Sequence, residues 1–277
     1  MMYTFTKMHG LGNDFIILDG RQNNITLTVE QLKILANRRL GVGCDQLILL
    51  APPRTEGCAV YMHIFNADGG EVEACGNATR CVGHLLTMES GLSGHTIETV
   101  AGFLKTSHID GATHVKMGSP QLTSADMKLS QDSDTLFLPV DVEGLERPVG
   151  VGVGNPHMVF FVPDAEEVPL ERFGRELTRH PLYPKGANVE FVSCLSRHHL
   201  RMRVWERGTG ITPACATGAC ATVVAAVRRG FVTQGESVCV TLDGGDLSVT
   251  YDGQKITMSG PVKQSFQGTF NEMLFDL

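Results

Sequence analysis

A pattern that occurs twice, about 140 positions apart, limits what this chain can fold into more than any other feature. Gly10-Leu11-Gly12-Asn13 precedes the apolar run Phe15-Ile16-Ile17-Leu18, and Gly152-Val153-Gly154-Asn155 precedes Met158-Val159-Phe160-Phe161. The two asparagines are 142 positions apart (13 and 155), and so are Gln46 and Asn188, each ahead of another apolar run. Ala74-Cys75-Gly76-Asn77 and Ala214-Cys215-Ala216-Thr217 each open a segment that stops at a glycine, Gly91 and Gly230, with the cysteines 140 apart (75 and 215). Nine residues before each cysteine stands a polar residue, Asn66 or Glu206, at the end of a strand-like run. Four features recurring in one order predict a duplicated fold of two similar halves.

The spacing predicts an amphipathic helix over 28–39, with Leu32, Leu35 and Ala36 on one face. It predicts further helices over 76–90 and 217–229, each closed by a glycine. The second of these is nearly all apolar from Ala219 to Val227, as a helix buried on every side would be. Short β-branched runs such as 60–65, 96–100, 200–205, 237–242 and 247–251 read as strands. Each half is then a set of strands around one buried helix, an α+β fold. Residues 119–150 carry six acids against Lys128 and Arg147, and three prolines (Pro120, Pro139, Pro148), and read as surface chain between the halves.

Composition removes several classes of function. With 42% hydrophobic and 19% charged residues the chain can bury a core and is not of the disordered class. A net charge of −7 gives no general attraction for nucleic acid or anionic lipid, so neither is an expected partner. No apolar stretch approaches the roughly 20 residues that span a bilayer, and residues 1–10 lack the apolar core of a secretory leader. A cytoplasmic, reducing setting follows as the expectation, and the eight cysteines read as thiols.

Cys75 and Cys215 fall at the first turns of predicted helices. Backbone N–H groups there have no intrahelical partner, and the helix dipole favours negative charge. A thiol so placed is expected to have its pKa lowered toward neutrality, and the same N–H groups can hold a carboxylate. Two such starts facing one another across a cleft could invert a carbon beside a carboxylate: one thiolate removes the proton, the other thiol returns one, and no cofactor is needed. Three other readings compete. A free cysteine is commonly a small buried hydrophobe. Zinc binding is a second, although no paired histidines accompany the cysteines. A cysteine hydrolase with His157 as base is a third, but it does not account for the duplication.

Met8-His9-Gly10-Leu11-Gly12-Asn13-Asp14-Phe15, Asn66-Ala67-Asp68-Gly69, Ala74-Cys75-Gly76-Asn77, Gly154-Asn155-Pro156-His157 and Glu206-Arg207-Gly208-Thr209-Gly210 through Ala214-Cys215 together resemble the diaminopimelate epimerase family, in order and over essentially the whole chain. The resemblance implies two pseudo-symmetric domains, each a β-structure wrapped round a central helix, with the site in the cleft. It implies domains of 1–118 (with a return of 264–277) and 119–263. It implies cofactor-independent, metal-free interconversion of LL- and meso-2,6-diaminopimelate in lysine and peptidoglycan-precursor biosynthesis. Cys75 and Cys215 would be the acid/base thiols. Gly76 and Asn77, with Ala216 and Thr217, would offer N–H groups to the reacting carboxylate. Glu206 would hold the α-ammonium, Arg207 with Asn66, Asn155 and Asn188 the distal amino-acid head, and Asn13 and Gln46 would complete the pocket. His157 would support the thiols, and Phe266 would lie in a homodimer interface. Ala216 departs from the family, which usually has glycine there; a positive φ at that position would strain alanine by about 1 kcal/mol.

Overall fold

The computed structural model describes residues 2–72 and 75–276. Met1, Ala74 and Leu277, at the chain start, the head of the first cysteine motif and the end of the returning segment, lie outside the described residues. The chain divides into two compact units, Met1–Val115 with Gly260–Leu277, and Lys116–Ser259.

In the first unit β1 (Met2–Gly10) turns through Leu11 and Gly12, at φ 56° and 88°, into antiparallel β2 (Asn13–Asp19). Two consecutive positive φ values suit the twist of a tight hairpin. Helix α1 (Val29–Ala36) starts with a capping box, Thr28 accepting from the Gln31 N–H and the Gln31 side chain from the Thr28 N–H. It stops three residues short of the expected end. Asn37 turns extended (φ −67°, ψ 121°), and its side-chain oxygen accepts from the N–H groups of Arg39 and Leu40, which diverts the chain.

Strand β3 (Gln46–Ala51) runs parallel to β2, and β4 (Val60–Asn66) antiparallel to β3. After the short β5 (Glu71–Val72) come α2 (Gly76–Ser90), β6 (Gly94–Thr99), β7 (Gly102–Ile109) and β8 (Ala112–Gly118). Gly91, at φ 71°, closes α2 in the left-handed region. A strand near the C-terminus, Lys263–Asn271, pairs antiparallel with the outer edge of β1. Alternation along β2 sends Phe15 and Ile17 to a core with Ala78, Cys81, Val82 and Leu86 of α2. Its Ile16 and Leu18 go to a core with Leu32 and Leu35 of α1. Burial of both faces explains why the run is apolar without interruption.

The second unit repeats this plan. A small hairpin, β9 (Asp141–Val142) and β10 (Leu145–Glu146), precedes β11 (Val149–Gly152) and β12 (Pro156–Phe161). Then follow α3 (Leu170–Leu177), β13 (Asn188–Ser196), β14 (His199–Glu206), β15 (Gly210–Ile211), α4 (Ala216–Arg228), β16 (Ser237–Leu242), β17 (Gly245–Tyr251) and β18 (Ile256–Gly260); the C-terminal strand is therefore β19. Strand β12 is parallel to β13, β13 antiparallel to β14 and β14 parallel to β16, as β2, β3, β4 and β6 are in the first unit. Even the register agrees: His157 stands opposite Asn188 as Phe15 stands opposite Gln46. Each unit is thus strands around a central helix, the α+β architecture expected. Ala219 through Ala226 of α4 are all fully buried.

One expectation is corrected. Residues 119–150 are not merely surface chain, because Leu138, Val140 and Leu145 belong to the core of the second unit with Phe160, Phe173 and Phe191. Acids and buried apolar residues alternate along this stretch, so Asp141 is exposed beside the buried Val140, a distinction that average charge hides.

Candidate active site

Both motif cysteines are helix N-caps. Cys75 (φ −146°, ψ 113°) accepts from the Ala78 N–H at 3.5 Å, and Cys215 (φ −124°, ψ 108°) from the Gly218 N–H at 3.4 Å. In each, sulfur takes the place that a Ser or Asp oxygen holds at an ordinary helix start. Gly76 and Asn77, and Ala216 and Thr217, occupy the first two helical positions, where the helix supplies no carbonyl for the N–H groups. Ala216 is not at positive φ, so alanine there is unstrained.

In the first unit Asn13 is held at both ends of its amide. Its Nδ2 donates to Asp45 Oδ2 (3.0 Å), and its Oδ1 accepts from Asn77 Nδ2 (3.1 Å). Behind it lies an ionic network. Asp14 pairs with Lys7 at 2.6 Å and with Arg38 at 2.7 Å, and Arg38 also pairs with Asp45 at 2.8 Å. Burial opposes the charge on Asp14, but hydrogen bonds from Arg38 and Lys7 prevail and hold its carboxyl well below the usual range. Gln46 Nε2 donates to Asn66 Oδ1 at 2.9 Å, and Gln46 Oε1 is buried without a partner. Asn13, Gln46, Asn66, Asn77 and Cys75 are therefore linked to one another or to the start of α2 by adjoining strands.

In the second unit His157 is fully buried. Its Nδ1 lies 2.6 Å from Glu190 Oε1 and its Nε2 2.9 Å from Asn155 Oδ1. Asn188 Oδ1 accepts from the Arg207 N–H at 2.8 Å, and the guanidinium of Arg207 donates to the carbonyl oxygens of Lys185 (3.0 Å) and Gly186 (3.4 Å). Glu206 accepts from the hydroxyl of Thr212 and is hydrogen-bonded to Cys215. Burial raises the Glu206 carboxyl above its ordinary value against those two bonds.

The helix start does not lower the Cys215 thiol, which corrects the expectation drawn from sequence. Burial first, then the charges of Glu206 and Glu190, push it well above its ordinary value, and the bonds from Thr217 and Gly218 do not offset them. Cys81 and Cys220 are fully buried within their helices; burial pushes the Cys81 thiol up to about 12. Among the described residues no three His, Cys, Asp or Glu side chains converge as a metal's ligands would.

The sequence pattern of the family described as diaminopimelate epimerase matches residues 5–123 and 149–264. The chain belongs to the diaminopimelate epimerase family. It is 46% identical over 276 residues to the diaminopimelate epimerase of Rhodospirillum centenum, covering 99% of this chain and 94% of that protein. It is 47% identical over 265 residues to that of Sphingopyxis alaskensis, covering 95% and 96%. Solved structures share the fold, and two of them illustrate it. One is a Bacillus anthracis phenazine biosynthesis protein of the PhzF family (TM-score 0.70, 17% identity, covering 98% of this chain and 99% of that one). The other is a hydroxyproline epimerase from Agrobacterium vitis, with bound trans-4-hydroxy-L-proline (TM-score 0.70, 16% identity, covering 99% and 94%).

Sequence reasoning missed Glu190, Thr212 and the ion network behind Asn13. Glu190 left one signal, a lone acid inside the apolar run Val189 to Val192, since a charge amid buried strand residues needs a partner.

Proposed function

We propose that this chain interconverts LL- and meso-2,6-diaminopimelate, as a step of lysine and peptidoglycan-precursor biosynthesis in the cytoplasm, with Cys75 and Cys215 as the acid/base pair. The observation that carries the reading is the pair of cysteine-capped helix starts at matching positions of a duplicated fold, in a member of this family.

Stereoinversion needs a base on one face of the α-carbon and an acid on the other. Cys215 rests as a thiol, so Cys75 takes the α-proton as thiolate and Cys215 delivers its own proton to the opposite face. The product leaves Cys75 as thiol and Cys215 as thiolate, the state from which the reverse reaction starts. First-turn N–H groups of Gly76, Asn77, Ala216 and Thr217 hold the reacting carboxylate as charge develops on it. Glu206 holds the α-ammonium, and His157 supports the thiols. Asn66, Asn155, Asn188 and Arg207 bind the distal head, with Asn13 and Gln46 completing the pocket. No cofactor or metal enters these steps. The domains are taken as 1–118 with 264–277, and 119–263. The working form is a homodimer with Phe266, about half exposed on β19, in its interface.

Incubation of LL-diaminopimelate with the protein in D2O tests this. Deuterium should enter one α-carbon as meso product appears. Cys75→Ala and Cys215→Ala should each lower turnover by 10²-fold or more, the usual worth of a positioned acid or base. Unlabelled, unchanged substrate, or proline racemised in its place, would overturn the assignment.

A further inference from the structure

The contacts of His157 count its protons. Asn155 Oδ1, 2.9 Å from Nε2, can only accept, so Nε2 carries a hydrogen. A carboxylate oxygen 2.6 Å from Nδ1 requires one further proton between the two atoms. With its oxygen occupied by the ring, the Asn155 amide turns its two N–H donors away from His157. Glu190 Oε2 is buried without a partner, so the carboxylate is held by little else.

The first unit shows that the fold does not need this pair. At the matching registers stand Phe15 and Ile48, both fully buried, packed in one apolar core with Ala78 of α2. In the second unit the three positions are His157, Glu190 and Gly218. A Cβ at Gly218 would lie 2.8 Å from Glu190 Oε1, so a larger residue there would have to displace the carboxylate. Burying an ionisable pair costs several kcal/mol per charge that an apolar trio avoids, so the polar pair is there for chemistry. The groups facing the pair are Glu206, which senses the charges of His157 and Glu190; Cys215, which senses that of Glu190; and Tyr183, whose hydroxyl donates to the His157 carbonyl.

We propose that Glu190 is a positioning residue: it keeps a proton at Nδ1 of His157, the ring's Nε2–H then holds the Asn155 oxygen, and Asn155 presents only N–H donors to a substrate carboxylate. This rests on the role given to Asn155 above.

Glu190→Ile copies the first unit, whereas Glu190→Gln keeps an N–H at the shared-proton position. The isoleucine variant should raise KM for diaminopimelate about tenfold, one lost hydrogen-bond donor's worth, with kcat changing as well because the Glu190 charge that acts on Cys215 is gone. The glutamine variant should stay within about twofold of wild type in KM. A side chain that merely fills space would make isoleucine the better substitute, so an unchanged KM in the isoleucine variant, or equal damage from both, overturns the proposal. Ring 15N shifts of His157 in the unaltered protein give a second readout, also should the isoleucine variant not fold. A proton-bearing Nε2 upholds the proposal and a bare one overturns it, whether or not diaminopimelate proves to be the substrate.

Discussion

Cys215 is the residue at which two general effects oppose each other. A helix start favours a thiolate by at most a few kcal/mol, but desolvation acts on the same sulfur, and two carboxylates add to it. The sum is a raised thiol, so the proton stays on through neutral pH. Alkylation of Cys215, followed by peptide mass spectrometry on substrate-free protein, should still be rising above pH 9. A rate that levels off below that pH would mean the helix start prevails. By linkage, a raised thiol contributes its stability fully below the unfolded value near 8.5 and loses it as pH climbs through the folded value. The same alkaline loss applies to Cys81, between about 8.5 and about 12.

Helix α2 shows how an element holds its cysteine in place. Its start is set by the Cys75 cap and its end by Gly91, both legible in the sequence. How deeply it sits depends on Gly83, where a Cβ would come within 2.8 Å of Thr106 Cγ2 on β7. Gly83→Ala should cost about 1–3 kcal/mol through overpacking, read as a lower thermal midpoint. Adding Thr106→Ala should restore part of that loss, because the two positions share one contact. Additive losses would place the strain elsewhere. The end of α1 was not legible in the same way. Leu32, Leu35 and Ala36 mark a helical face, but the diversion at Asn37 depends on a side-chain bond that competes with the next turn.

At the scale of the whole chain, the first unit is closed by residues far from it in sequence. Strand β19 pairs along β1 from Asn271 opposite Met2 to Lys263 opposite His9, and Tyr3 stacks on Phe270 with ring centroids 5.0 Å apart. A chain ending at residue 262 leaves β1 a bare edge and uncovers Phe5. It should lose a cooperative thermal transition by circular dichroism, and with it epimerase activity; an unaltered melt would show that the return is dispensable. The sequence alone determined the duplication, the α+β class, the buried helices and the cysteines at their starts, because these depend on short-range periodicity and on residues that cap helices. Only the tertiary structure decided that Glu190 meets His157, that Asp14 sits between Lys7 and Arg38, and that the Cys215 thiol is raised. Those outcomes depend on which strands pair in parallel and how much water burial removes, and no local pattern carries that information.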